Sequence, residues 1–275
     1  MKKKMVCMLG IGLLLSTAIV GCGTQENTKK TKDIVADETK GNSNTFTVGF
    51  DANFPPYGYK DESGEYVGFD LDLAQEVCDR NGWELVKQPI DWDSKDMELN
   101  SGTIDCIWNG FSMEESNLDK YTWSDPYVSN SQVVVVREDS KIQSLEDLAG
   151  KLVEVQVDSS GLKALEGQRA DLTATFGSLT QVAEYNTAFM DLEAGAADAV
   201  VLDQEVAKYQ MESRGDGFVM LDESISSEEY GIGFKKGNET LRDTVQKTLN
   251  EMAEDGTFME IAKKWGTDET VCLGK

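Results

Sequence analysis

The chain has 275 residues, with 26 Lys and Arg against 50 Asp and Glu, no histidine, and a formal net charge of −24. A surface this acidic repels nucleic acid and anionic lipid. Without histidine there is no Ser/His or Cys/His nucleophile system, and the commonest metal ligand is missing. The five cysteines show no CxxC spacing, which argues against both a zinc site and a disulfide framework, and no cofactor is implied.

In chain order, Met1-Lys2-Lys3-Lys4 precedes an apolar run over 6–20 that ends in Gly21-Cys22. A basic start, an apolar stretch and a small-residue cleavage point predict a secretory signal over 1–21. The run is shorter than the ~20 residues that span a bilayer as a helix. Cys22, directly after a small residue, is placed for acylation, and two acyl chains suffice to hold a protein on the outer face of the cytoplasmic membrane. Residues 22–44 are Lys, Thr, Asn, Asp and Glu with almost nothing apolar, a disordered tether by composition. Loss of 1–21 removes three lysines and no acid, taking the net charge from −24 to −27. Cys78 and Cys106 stand among apolar neighbours and read as small buried hydrophobes.

From Thr45 onward about 230 residues remain, comfortable for two lobes of ~100 each. Residues 45–50 alternate as a strand with Phe46, Val48 and Phe50 on one face. Leu71, Ala74, Val77 and Cys78 follow at helical spacing, with Asp70 as the expected N-cap and Asn81-Gly82 as the stop. The alternation of strand and helix continues, so the fold class is α/β. Met97-Glu98-Leu99-Asn100-Ser101-Gly102 recurs 93 residues later as Met190-Asp191-Leu192-Glu193-Ala194-Gly195. Each copy ends a helix at glycine and leads into an apolar strand, which delivers Asn109-Gly110 and Asp203 to equivalent strand ends, where open α/β sheets bind ligands. Two apolar stretches, 132–137 and 230–234, are placed to cross between lobes as a hinge. Ser144 opens a capped helix, residues 151–157 begin the second lobe, and 241–265 carry two core-facing helical stripes.

Several turns carry candidate binding groups. Asp51 and Phe54 stand in a proline-stiffened turn after the first strand, and Trp92 lies between two acids, so that the rings of Phe54 and Trp92 could flank a ligand side chain. Ser159 and Ser160 precede a helical segment, which suits either a carboxylate or plain N-capping. Asp203 ends an apolar strand, where a carboxylate calls for a cationic partner or else stands at the surface.

Together these residues resemble the amino-acid-binding family of bacterial extracellular solute-binding proteins. The likeness runs from Thr45 to about Gly266. It is carried by Val48-Gly49-Phe50-Asp51 with Pro55-Pro56-Tyr57, Val67-Gly68-Phe69-Asp70-Leu71, Gly102-Thr103-Ile104-Asp105, Ser124-Asp125-Pro126-Tyr127, Leu145-Glu146-Asp147-Leu148-Ala149-Gly150-Lys151, Asp198-Ala199-Val200-Val201-Leu202-Asp203 and Tyr230-Gly231-Ile232-Gly233-Phe234. The resemblance implies a two-lobed periplasmic-binding-protein type II fold, two α/β domains joined by two hinge crossings. Lobe one would span 45–132, lobe two 133–230, and 231–275 would return to lobe one with the C-terminal helices. It also implies a monomeric, non-enzymatic, lipid-anchored receptor that passes a small solute to an ABC transporter permease with its ATPase. Asp51 would reach the ligand side chain between Phe54 and Trp92, Asn109, Gly110 and Ser112 would line one wall, Ser159 and Ser160 would hold the carboxylate, and Asp203 would take the ammonium. Where the family commonly carries an arginine that forks the ligand carboxylate, this chain has Asn117, a neutral group in place of a charged bidentate clamp. That departure, with Asp51 and Asp203, biases the expectation towards cationic or amine ligands. Rival readings are a dehydratase-like enzyme on the same fold, using Glu114, Glu115 or Asp51, and a ligand-sensing module for a receptor partner.

Overall fold

The computed structural model describes residues 44–274, so the expected signal, the acylation site at Cys22 and nearly all of the tether lie outside the described residues. Two main sheets organise the chain. In the first, Thr45–Phe50 is flanked by Glu84–Pro89 and Cys106–Ile107, both parallel to it, and Gly233–Lys235 and Tyr121–Trp123 complete the edge antiparallel. In the second, Leu152–Gln156 runs parallel to Ser178–Val182 and Ala199–Asp203, and Ala199–Asp203 pairs antiparallel with Val128–Arg137. Ser226–Tyr230 lies on the far side of Val128–Arg137 and pairs in turn with Ser112–Met113. The architecture is the two-lobed type II binding-protein fold, with long strands at the junction.

Thr45–Phe50 and Ala199–Asp203 are buried on both faces, because helices cover parallel strands from both sides. The helix Phe69–Asn81 turns Leu71, Leu73, Ala74, Val77 and Cys78 inward, and the C-terminal helices Glu239–Asp255 and Thr257–Trp265 pack against it through Leu249, Met252, Phe258 and Ala262. Each Leu, Val, Met or Phe side chain among these contributes about 1.5–3 kcal/mol when removed from water, and the alanines less. Cys78 and Cys106 are both fully buried in this core.

The 93-residue echo holds at the level of single hydrogen bonds. Thr103 N–H reaches Glu98 O at 3.1 Å, and Ala196 N–H reaches Asp191 O at 2.8 Å. Gly102 N–H and Gly195 N–H close on Leu99 O and Leu192 O at 3.2 Å each. Both glycines are left-handed, at φ 79° and 74°, the backbone that ends a helix this way and that only glycine adopts without strain.

One expectation fails. The helix at 69 is entered through Gly68, and Asp70 lies inside its first turn, fully buried. The Asp70 carboxylate accepts Gly110 N–H at 2.7 Å and the Tyr127 hydroxyl at 2.9 Å, so it braces the loop at the end of Cys106–Ile107 and leaves its own helix uncapped. Burial pushes its pKa up to about 7 against those two donors.

Candidate functional site

A narrow cleft, about 370 Å³ with its mouth included, opens where the parallel strands of both sheets end. Phe54, Trp92, Asn109 and Gly110 come from the loops and short elements around the first sheet, Ser112 from the edge strand Ser112–Met113 that pairs with Ser226–Tyr230, and Ser159, Ser160 and Asp203 from the ends of the second sheet's parallel strands. Trp92 and Asp203, which are 111 positions apart, thus line one crevice. Phe54 stacks on Tyr57 at 5.8 Å and meets Tyr185 from the second lobe at 6.1 Å, while Trp92 stands edge-on to Phe111 at 5.6 Å. Gly110 sits at φ 57°, and a Cβ there would lie 2.9 Å from the Phe54 ring, so the close approach of backbone to ring requires glycine.

Asp203 is the electrostatic centre. Its Oδ1 accepts from Asn130 Nδ2 and Gln132 Nε2 at 2.7 Å each and from the Tyr230 hydroxyl. All three donors are neutral. Burial, and after it the charge of Glu228, pushes the Asp203 pKa up to about 8. A carboxyl group in that state favours the arrival of a cation, which would replace the proton.

Two other nominated groups are placed differently. Asp51 is set back from the cleft in an adjoining depression, where its Oδ1 accepts Asn53 N–H at 2.8 Å and its Oδ2 accepts Gln156 Nε2 from the second lobe at 2.6 Å. Burial raises its pKa to about 6 despite these bonds. Asn117 does not line the cleft at all. Its Nδ2 donates to Ser112 O at 3.0 Å and its Oδ1 accepts Glu114 N–H at 2.9 Å, so the whole amide is used to staple its own loop. The Ser159 hydroxyl is likewise spent, since it caps the helix Ser160–Glu166 by accepting Leu162 N–H at 3.1 Å and donates to Gln156 O at 2.8 Å.

The structure also brings in groups that sequence reading passed over. Lys163 is the one cation among the described lining residues, and it already stands 3.5 Å from Glu114 and 3.6 Å from Asp158. Lys95, only 2% exposed, reaches from the first lobe to Asp158 on the second and lies 4.9 Å over the Trp92 ring. Burial lowers the Lys95 pKa. At Asp158 burial pulls upward, but the hydrogen bond and charge of Lys95, then Lys163, bring its pKa below the ordinary value. Burial raises that of Glu114. A charged pair formed by residues 63 apart leaves no pattern in a sequence; only Asp158, a non-glycine residue at φ 53°, marks the turn as unusual.

Residues 46–268 match the family described as bacterial extracellular solute-binding proteins, family 3. The L-cystine-binding protein TcyJ of Escherichia coli K12 is 30% identical over 232 residues, covering 82% of this chain and 84% of its own length. The arginine-binding extracellular protein ArtP of Bacillus subtilis is 28% identical over 270 residues, 97% of this chain and 99% of its own. Among solved structures, a Streptococcus pneumoniae ABC uptake transporter substrate-binding protein with bound histidine superposes at a TM-score of 0.79 with 34% identity, covering 82% of this chain and 94% of that one. Tv2483 bound to L-arginine gives 0.79 and 29%, over 85% and 95%. With its two α/β sheets meeting at a cleft and this match along its folded length, the chain belongs to family 3 of the bacterial extracellular solute-binding proteins.

Proposed function

We propose that this chain is the lipid-anchored, extracytoplasmic substrate-binding subunit of an ABC importer and that it captures a small amine-bearing solute of the amino-acid type by closure of its two lobes. The observation that carries the reading is Asp203, buried in the cleft between rings and neutral donors, with no cation among the described residues bonded to it. An ammonium or guanidinium entering there meets a carboxylate, aromatic faces for its aliphatic stem, and hydroxyl and carbonyl oxygens. The carboxylate end of an amino acid finds less. The loop position that carries arginine in much of the family holds Asn117, turned away, and Lys163 is shared by two acids. These features favour a cationic solute, in keeping with relatives named for arginine and for lysine, arginine and ornithine.

In this reading the lobes, 45–132 with 231–275 and 133–230, swing about the strands between the sheets. Solute selects the closed form, and the permease with its ATPase reads that surface. Residues 1–21 serve as signal, Cys22 as anchor and 22–44 as tether, on the outer face of the cytoplasmic membrane, with the protein a monomer. The solute is bound and released unchanged.

Titration calorimetry of the folded chain against amino acids and simple amines tests the assignment. Micromolar or tighter binding of a cationic amino acid or amine is expected, and tight binding of aspartate or glutamate alone would overturn the cationic preference. Recovery of a chemically altered ligand would favour an enzyme instead, a reading kept open by a 30% identical ancestral amino-acid-binding protein described as a precursor of cyclohexadienyl dehydratase. Mass spectrometry of the mature N-terminus checks acylation at Cys22.

A further inference from the structure

Glu228 stands on the junction strand Ser226–Tyr230, directly opposite Asn130 in the ladder, and none of the sequence patterns singles it out. Its Oε1 accepts four hydrogen bonds: Asn130 Nδ2 at 2.8 Å, Ser112 Oγ and Gln132 Nε2 at 2.9 Å, and Ser160 Oγ at 3.1 Å. Ser112 belongs to one wall of the cleft and Ser160 to the other. A carboxylate offers only lone pairs, and a serine hydroxyl has one proton. Both serines therefore point that proton at Glu228, and what they turn to the cleft is lone pairs. Ser160 also accepts Gln132 Nε2 at 2.9 Å, and the Ser159 proton is committed to Gln156 O. None of the three hydroxyls keeps a proton for an anion.

We infer that Glu228 is a specificity-determining positioning residue of the solute site: by taking the hydroxyl protons of Ser112 and Ser160 it makes both walls acceptors, so the end of the solute beside Asp203 must be an N–H donor. The inference rests on the cleft being the solute site. It assigns the donor polarity to a residue behind the walls, where the notable acid within them is Asp203. The same carboxylate supplies a second negative charge next to Asp203, and the hydrogen bonds to both acids described above come from neutral donors.

Glu228→Gln keeps the size but replaces the charged oxygen that takes four hydrogen bonds with a neutral carbonyl of two lone pairs, which holds the donors less firmly and lets a serine proton turn towards the cleft. The probes are the tightest-binding amine or cationic amino acid of the calorimetric panel and, against it, aspartate and glutamate. For the wild type, affinity for the amine should climb between pH 6 and 8.5 as Asp203 ionises. The titratable groups facing Asp203 are Glu228 and Tyr230 on this strand, Tyr57 and Tyr185; the tyrosines are held well above their ordinary range by burial, and Glu205 on the following helix is paired with Lys208. In Glu228→Gln, amine affinity at pH 8.5 should fall tenfold or more, the climb should move to lower pH, and the preference for amine over acidic ligands should shrink. Glu228→Asp, which keeps the charge, should leave the pH midpoint near the wild-type position. A folded Glu228→Gln protein with the wild-type affinity, preference and midpoint overturns the inference while leaving the solute site standing. A wild-type protein that binds none of the panel removes the functional reading, and the inference with it.

Discussion

Asp203 binds a proton far more readily in the folded chain than in an unfolded one, because burial and then Glu228 lift its pKa from 3.8 to about 8. The sign follows from proton counts. Between about pH 4 and pH 8 the native state holds a proton that the unfolded state has lost, so this residue's contribution to stability is fully present below pH 4 and disappears as pH rises through 8. Asp203→Asn keeps the neutral shape and removes that pH dependence. Thermal melts of the ligand-free variant should therefore exceed those of the wild type at pH 8, with the gap narrowing towards pH 5, while amine affinity drops by about 10- to 100-fold, the loss of a charge-assisted hydrogen bond worth ~1.5–3 kcal/mol. A variant less stable than the wild type at pH 8 would contradict the account. That an acid stood at the end of an apolar strand was legible in the sequence. The three neutral donors and the second acid around it were not, since Asn130, Gln132 and Tyr230 stand 73, 71 and 27 positions from Asp203 in the chain and meet it, with Glu228, only through strand pairing.

Elements were read best where local chemistry decides them. The helix stops at Gly102 and Gly195 depend on a backbone conformation that one residue type adopts freely, and the capping box at Ser144 and Asp147 needs only residues three apart. Because a Cβ at Gly102 or Gly195 would meet no backbone or packed core, Gly102→Ala and Gly195→Ala should each cost only the left-handed strain, about 1–2 kcal/mol, and should add in the double variant; denaturant melts check both. Gly68→Ala should cost visibly more, since its Cβ would sit 2.2 Å from Tyr57 O. Asp70 shows where local reading stops. An acid in the first turn of a helix looks the same in sequence whether it caps that helix or reaches across to Gly110 N–H and Tyr127, and burial is what separates the two. Asn117 is the same lesson reversed: a polar side chain assigned to a ligand is used up by its own loop.

At the scale of the molecule, bonds between the lobes hold the cleft narrow: Gln156 to Asp51, Lys95 to Asp158, and Lys163 to Glu114. Lys95 is the most enclosed of these charges, and a buried ion loses more when its partner leaves than a surface pair gains. Lys95→Met should leave Asp158 seeking water and so favour an opened arrangement. Small-angle scattering of the ligand-free variant should show a larger radius of gyration than the wild type, and solute affinity should fall about tenfold, in proportion to the lost closed population. An unchanged radius and affinity would deny the pair a role in closure. The sequence by itself determined the α/β class, the repeated helix-strand unit, the buried stripes and the strand ends that face one another, because periodicity, capping and glycine stops are written in residues a few positions apart. Only the tertiary structure decided which polar groups are free in the cleft, which are spent on one another, and which charges meet across it, because hydrogen-bond partners and burial belong to residues that folding brings together from distant parts of the chain.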